Sequence, residues 1–272
     1  MKETRLANPF GAPVYYEETV MSTMDVCRRL AEAGEPHGTV IYADFQEAGR
    51  GRNRRVWASK KGENLMFTIL LRFDADNLPA ALTLRAGLAI LETLENQFPV
   101  FKNRLKIKWP NDILLLTEGK PLKLAGILAE AETTNDGGTV VYLGVGINLF
   151  QDSFPGELSG KAISIKMAGG LYIDNKFITG KALYFSRNNL LVKILAGFFN
   201  NSLNGNIDHW KPRLEEKLYM LGEEVTFAEG PAESERVVKG RLAGIGDTGE
   251  LILLLPGDYS PHFYSAGELR VY

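Results

Sequence analysis

The sequence predicts an α+β fold: one central mixed or antiparallel sheet with helices on one face, followed by a small C-terminal β-barrel. Three observations carry this. Apolar or β-branched runs at 39–43, 65–71, 105–109, 112–116, 124–130 and 139–147 are separated by turn residues. Two stretches, 23–33 and 79–97, instead repeat apolar residues every three or four positions, the period of a helix lying on a sheet. Past Glu223 the chain breaks into short β-like runs between glycine-rich turns.

Taken in order, the first twenty residues show no strong periodicity. Ser22 or Thr23 stands at a helix-cap position ahead of Val26, Cys27 and Leu30, which predicts a short helix over 23–33. Thr39 to Ala43 and Leu65 to Leu71 read as strands, and Pro79 opens a helix ending near Gln97 with Leu84, Leu88, Leu91 and Leu94 on one face. Leu105 to Trp109 alternates, Asp112 to Leu116 is apolar, and Glu118-Gly119-Lys120-Pro121 supplies a turn before a strand over Leu124 to Glu130. Asn135-Asp136-Gly137-Gly138 marks a second turn before a strand over Thr139 to Ile147. The segment 161–219 is mostly helical in pattern, with Leu183, Leu190, Leu191, Ile194 and Leu195 on one face. Strands are then expected at Val225 to Phe227, Arg236 to Leu242, Leu251 to Leu255 and Leu269 to Tyr272, with the boundary at Leu221-Gly222 dividing 1–221 from 222–272.

The 272 residues are 45% hydrophobic, enough for one large domain and one small one. A formal charge of -2 gives no overall basic field of the kind that draws nucleic acid or anionic membrane, so the cations that matter are local. The N-terminus has no apolar signal core, and no run approaches the ~20 apolar residues of a membrane span. With a single cysteine, the expectation is a cytoplasmic chain without disulfides. Neither a Cys/His metal cluster nor a repeat is visible.

The most telling stretch is Gly49-Arg50-Gly51-Arg52-Asn53-Arg54-Arg55-Val56-Trp57, where four arginines fall within six residues of a loop leaving a strand end. Guanidinium forks bind phosphate or carboxylate oxygens bidentately, glycines let backbone approach a ligand, and Trp57 offers a face to a flat ring. A second constellation follows in Lys108-Trp109-Pro110-Asn111-Asp112, Lys123-Leu124-Ala125-Gly126-Ile127-Leu128 and Gly144-Val145-Gly146-Ile147-Asn148. Singly, each has an ordinary explanation: a solvated lysine, a carboxylate closing a turn, glycines for a bulge. Together with the arginine loop they supply anion binding, an aromatic platform and close backbone approach, which suit a nucleotide and a carboxylate.

These motifs, in this order and spacing, resemble the biotin protein ligases, and the likeness covers nearly the whole chain. It implies a class II synthetase-like biotin/lipoate ligase fold with an SH3-like C-terminal domain, the latter carried by Leu218-Tyr219-Met220-Leu221-Gly222 and 244–251. It implies activation of biotin by ATP with Mg²⁺ to biotinyl-5'-AMP, then transfer to a lysine of the biotin carrier domain of a carboxylase. Carried over residue by residue, Lys123, Arg50, Arg52 and Asp112 are catalytic. Ser22, Thr23, Met24, Gln46, Gly49, Arg50, Gly51, Arg52, Lys123, Gly126, Gly144 and Gly146 bind biotin. Arg52, Arg55, Trp57, Asn111, Lys123 and Asn148 bind ATP, with Trp57 against adenine. Asp112 either orients the acceptor lysine or binds Mg²⁺. Homodimerisation is compatible with the likeness.

The chain departs from the family at Met24, where asparagine is usual, and at Arg54, where glycine is common in the loop. Only 21 residues precede Ser22, too few for the N-terminal DNA-binding domain of some relatives, so a monofunctional type is expected. Two alternatives share the fold: a lipoate or octanoate ligase or transferase, and a non-catalytic biotin-binding protein. A thioester-forming transferase needs a reactive thiol, and Cys27 lies on the inward face of its predicted helix. A mere binder would not need Lys123 and the arginines.

Overall fold

Apolar runs along the chain build one large sheet, buried on both faces at its centre. A computed structural model of the chain describes residues 1–272 except 75–76, 119, 170–171, 174–175, 178–185, 204–208, 231–235, 259 and 271–272, and except the side chains at 54, 172–173, 176–177 and 202. The elements run β1 (Lys2–Glu3), β2 (Val14–Val20), α1 (Thr23–Glu32), β3 (Val40–Gln46), β4 (Asn64–Phe73), α2 (Leu82–Gln97), β5 (Leu105–Lys108), β6 (Asp112–Thr117), β7 (Lys120–Thr133) and β8 (Thr139–Asn148). Then come β9 (Tyr172–Ile173), β10 (Lys176–Phe177), α3 (Arg187–Phe198), α4 (Trp210–Lys217), β11 (Glu224–Glu229), β12 (Arg236–Ile245), β13 (Leu251–Leu254), β14 (Pro261–Tyr264) and β15 (Glu268–Arg270).

The central sheet has the strand order β1-β2-β3-β4-β8-β7-β6-β5, with β2 parallel to β3 and the other neighbours antiparallel, so it is mixed. Side chains alternate between its faces. Val141, Leu143, Val145 and Ile147 of β8 face α2, α3 and α4 in the larger core, while Val140 and Tyr142 face α1. The expectation of helices on a single face is therefore corrected: α1 packs Met24, Val26, Cys27 and Leu30 against the opposite face. It covers only part of that face, and the rest is where β8 carries Gly144 and Gly146.

Other differences have local causes. Val14–Val20 forms a strand although Glu17 and Glu18 mask its alternation, since neither is buried so close to the sheet edge. Helix α2 begins at Leu82 rather than Pro79, because Ala81 adopts a left-handed cap conformation (φ 54°) that turns the chain first. β7 takes in Lys120 and Pro121, which were read as turn residues, because Thr117 pairs with Lys120 directly. Among the described residues of 161–219, Ala162 runs beside Lys123 as a parallel bridge, and the helices are α3 and α4 with a π-helical turn after α3, less helix than expected. Leu183 falls outside the described residues.

The C-terminal strands form a five-stranded antiparallel sheet ordered β14-β13-β12-β11-β15, with β14 an addition to the four expected. Its core is continuous with that of α2. Trp109, 2% exposed, meets the Phe227 ring edge-on at 5.8 Å, and its indole N–H donates to the Gly249 carbonyl at 2.9 Å. Such an aromatic pair contributes ~1 kcal/mol beyond its buried area. The C-terminal unit is thus seated beside the loop between β5 and β6, where Lys108 and Asn111 lie. No helix among the described residues is long and apolar enough to cross a membrane.

Candidate active site

On the α1-facing side of the sheet, register brings small residues into line. Gly126 of β7 lies opposite Gly146 of β8, and Gly144 lies opposite Leu128 and beside Thr68 of β4. Without Cβ atoms these positions leave a trough, which opens into a cleft of about 600 Å³. The cleft is lined by every site residue the sequence predicts except Gly49. Gly49 sits behind the arginine loop: a Cβ there would lie 2.9 Å from the Trp57 carbonyl oxygen and 3.0 Å from Gln46 Nε2. It shapes the loop rather than the cavity wall.

At one end, Ser22 caps α1, its hydroxyl accepting from the Met24 amide at 3.3 Å, an interaction that stabilises a helix by ~1 kcal/mol. Gln46 Oε1 accepts from the Thr23 amide at 2.8 Å and from the Thr23 hydroxyl at 3.1 Å, and Thr68 donates to that hydroxyl at 2.9 Å. Among the described residues Gln46 Nε2 reaches only the weak acceptor Met66 Sδ, at 3.4 Å, so this amide is well placed to donate to a ligand carbonyl. Thr68 was not foreseen; a threonine in an apolar strand carries no mark of a site until β4 is placed beside α1. Met24 is buried, its sulfur 3.1 Å from where a Gly144 Cβ would stand, so an apolar thioether closes this end of the trough.

At the centre, the Trp57 indole lies across the trough floor. A Cβ on Gly146 would approach it to 2.5 Å and one on Gly126 to 3.1 Å. The Lys123 ammonium stands 5.5 Å from the Trp57 ring centroid and 2.7 Å from Asp112 Oδ1, with Lys123 a third exposed and Asp112 at 15%. Lys123, on β7, pairs with Leu114 of β6 on one side, and its backbone bonds to Lys161 and Ile163 on the other. Two predicted nucleotide contacts are largely engaged by the protein itself. Asn111 donates to the Ile127 carbonyl at 2.8 Å and accepts from Arg52 at 3.3 Å, while Asn148 donates to the Lys123 and Ile163 carbonyls at 3.4 and 3.2 Å.

The arginine loop is a strap anchored at both ends. Its base is closed by the Trp57 amide to the Gly49 carbonyl (2.9 Å) and the Gly51 amide to the Arg55 carbonyl (2.8 Å), with a 3₁₀ turn at Arg52–Arg54 in which Asn53 is left-handed (φ 53°). Arg50 pairs with Asp25 and Glu130. Arg52 donates to the Gly267 carbonyl at 2.9 Å, and Arg55 forms a bidentate pair with Glu268 at 3.1 and 2.9 Å. Burial lowers the Arg52 pKa, opposed by the charges of Asp112 and Glu268. Glu268 also meets Lys108 at 3.3 Å. Sequence reading missed Glu268, since nothing near it marks a partner 213 residues away.

Burial pushes the Glu268 carboxyl up, but the Arg55 hydrogen bonds and the charges of Lys108 and Arg55 outweigh it and hold its pKa at about 2. A depressed carboxyl stabilises the fold above its unfolded pKa, and that stability is lost as pH falls through the folded value. Glu268→Gln should therefore lower the melting temperature at pH 7 by a few degrees, with the difference from the parent shrinking between about pH 4.5 and 2. An equal difference at pH 7 and pH 2 in thermal melts would exclude this linkage. Cys27 is fully buried, and its thiol is pushed up to about 12 by burial against the opposing charges of Arg72 and Arg28, so no thiolate is available there. Among the described residues, no three His, Cys, Asp or Glu side chains are grouped to hold a metal ion.

Comparison with known proteins identifies the family and the fold. The family described as "Biotin/lipoate A/B protein ligase family" matches residues 16–148. The biotin--[acetyl-CoA-carboxylase] ligase of Paracoccus denitrificans is 33% identical over 221 residues, 79% of this chain and 84% of that protein. The bifunctional ligase/repressor BirA of Bacillus subtilis is 38% identical over 167 residues, and that match spans 60% of this chain and 49% of BirA. The match thus spans about half the length of the Bacillus relatives. The solved biotin protein ligase from Aquifex aeolicus in complex with biotin and ATP superposes with a TM-score of 0.73 at 27% identity, covering 95% of this chain and 99% of that one.

Proposed function

Since the chain belongs to the biotin protein ligase family, we propose that it activates biotin with ATP and transfers it to a lysine of a biotin carrier domain. The observation that carries this reading is Lys123: an ammonium above a glycine trough, beside a carboxylate and an indole, in a cleft bordered by Arg50, Arg52 and Arg55. In the first step a biotin carboxylate oxygen bonds to the α-phosphorus and pyrophosphate leaves. Two anions must meet, so fixed cations are the main requirement, and Lys123 stands between carboxylate and phosphate in this reading. In the second step the acceptor amine bonds to the acyl carbon, loses a proton and displaces AMP.

Ser22, Thr23 and Gln46 receive the polar head of biotin at the α1 end, Met24 and the glycines 126, 144 and 146 line its apolar slot, and the nucleotide lies on the far side of Trp57. The arginine loop covers the mixed anhydride and keeps water from it. Asp112 is the residue that would hold Mg²⁺: one carboxylate beside Lys123 suits a hard cation bound mainly by phosphates and water. The ion, when bound, neutralises the departing pyrophosphate. The division into a catalytic unit, 1–221, and a C-terminal unit, 222–272, belongs to the same reading, and the contacts of Gly267 and Glu268 with the loop support a part for the second unit in the chemistry. A cytoplasmic site of action and the lack of a nucleic-acid partner are supported by the lone buried cysteine and the net charge of -2.

ATP–pyrophosphate exchange by the purified protein, with biotin, lipoate and octanoate offered separately, tests this. Exchange dependent on biotin is the expected result. Exchange with lipoate or octanoate alone would move the chain to the sister ligases, and binding of biotin with no exchange would leave a binding protein.

A further inference from the structure

Asp25 and Glu130 lie outside the residues that sequence reasoning assigns to the site, yet they hold its first arginine. Arg50 Nη2 is 2.8 Å from Asp25 Oδ1 and 3.6 Å from Glu130 Oε2. Both carboxylates stand on rigid elements. Asp25 is in the first turn of α1, one turn from Ser22 and Thr23, and Glu130 is on β7, four residues past Gly126. Glu130 is itself fixed by Arg28 at 3.0 Å, which pairs with Glu132 at 3.1 Å and lies over the Tyr142 ring at 4.9 Å, while the Tyr142 hydroxyl donates to Glu132 at 3.1 Å. Two cations, Arg28 and Arg50, thus meet three carboxylates, so the cluster keeps an excess negative charge to which Arg50 is drawn.

A first-turn aspartate is explained by the helix dipole alone. That account leaves out Glu130, which comes from another element and converges on the same guanidinium nitrogen. Both ion pairs fall on Nη2, so they hold that end of the fork while its other nitrogens can be presented to an anion in the cleft that Arg50 lines. We infer that Asp25 and Glu130 are positioning residues that aim Arg50 and fasten the N-terminal half of the arginine loop over the cleft. This rests on the ligase reading above. The pairs are partly exposed, with the Arg50 side chain at 38%, so each contributes modestly, and it is their sum that orders the loop.

The test uses Asp25→Asn, Glu130→Gln and their combination in the full chain. The double variant should release biotinyl-adenylate about 3- to 10-fold faster in the absence of acceptor, with the KM for biotin rising by a similar factor and the exchange kcat changing less. Glu130→Asp should restore most of the loss. In an Arg50→Ala background the same substitutions should have no further effect, because residues that act through one partner are not additive with its removal. Equal effects with and without Arg50, or parental release by the double variant, would overturn the inference. A parent protein without biotin-dependent exchange would instead count against the ligase reading. In that event, amide exchange at Gly51 and Trp57 in the ligand-free protein decides: faster exchange in the double variant is expected, and unchanged protection overturns the inference without any need for catalysis.

Discussion

Lys123→Ala should lower biotin-dependent pyrophosphate exchange by about three orders of magnitude while leaving a folded protein. The magnitude follows from charge. An ammonium about 4 Å from a reacting anion, at an effective dielectric near 20, is worth ~4 kcal/mol, which is ~10³ in rate. The cost to the fold is far smaller: the Lys123–Asp112 pair is a third exposed at the lysine, and such pairs contribute ~1 kcal/mol or less. Lys123→Arg keeps the charge but moves it on a longer planar fork, and should fall between Lys123→Ala and the parent. Circular dichroism and a thermal melt alongside the exchange assay separate the outcomes. Exchange within tenfold of the parent in Lys123→Ala would remove this lysine from the reacting centre, and an unfolded variant would show that the ion pair matters more to the fold than its exposure implies.

Much of this arrangement was legible in the sequence, for physical reasons that can be named. The strands of the central sheet declare themselves as short apolar or β-branched runs between turn residues, and the glycines inside two of them, Gly126, Gly144 and Gly146, are those that form the trough. The arginine loop is legible because four cations in six residues have no structural use within a core. What was not legible depends on contacts between distant parts of the chain. Glu268 meets Arg55 across 213 residues, and Arg28 meets Glu130 across 102, and neither pairing leaves a mark on its local sequence. Helix α1 was foreseen as an element but not its face, because its stripe of Val26, Cys27 and Leu30 shows only that it packs, not on which side of a sheet. The parallel pairing of β2 with β3 was hidden for a like reason: Glu17 and Glu18 break the alternation in an edge region where solvent tolerates charge.

Gly146→Ala should abolish most of the activity with little change in stability, and it separates the trough from ordinary strand packing. Gly146 is not among the glycines with positive φ, so an alanine is not strained by the backbone there. A glycine within a strand is in fact ~0.5–1 kcal/mol less favourable than alanine on entropic grounds, so the substitution could gain stability if the space were open. It is not open. The added methyl would stand 2.5 Å from Trp57 Cε2 and 2.6 Å from Cζ2, closer than van der Waals contact allows. β8 is buried in the middle of the sheet, between β4 and β7, and cannot yield as the loop can. The indole must therefore lift, and with it the strap that Arg50, Arg52 and Arg55 fasten. A displacement of about 1 Å at this point should cost ~10²-fold in exchange, because the ring and the cations beside it are positioned together. Gly144→Ala is the matched control two residues away on the same face. Its methyl would meet Met24 Sδ at 3.1 Å, an unbranched side chain that can turn aside, so the loss there should stay within about fivefold. If Gly146→Ala and Gly144→Ala lose activity equally, the trough is sensitive to volume in general and the placement of Trp57 is not what Gly146 protects. If Gly146→Ala is fully active, the indole does not rest on this glycine while the enzyme works, and the nucleotide must find its aromatic partner elsewhere.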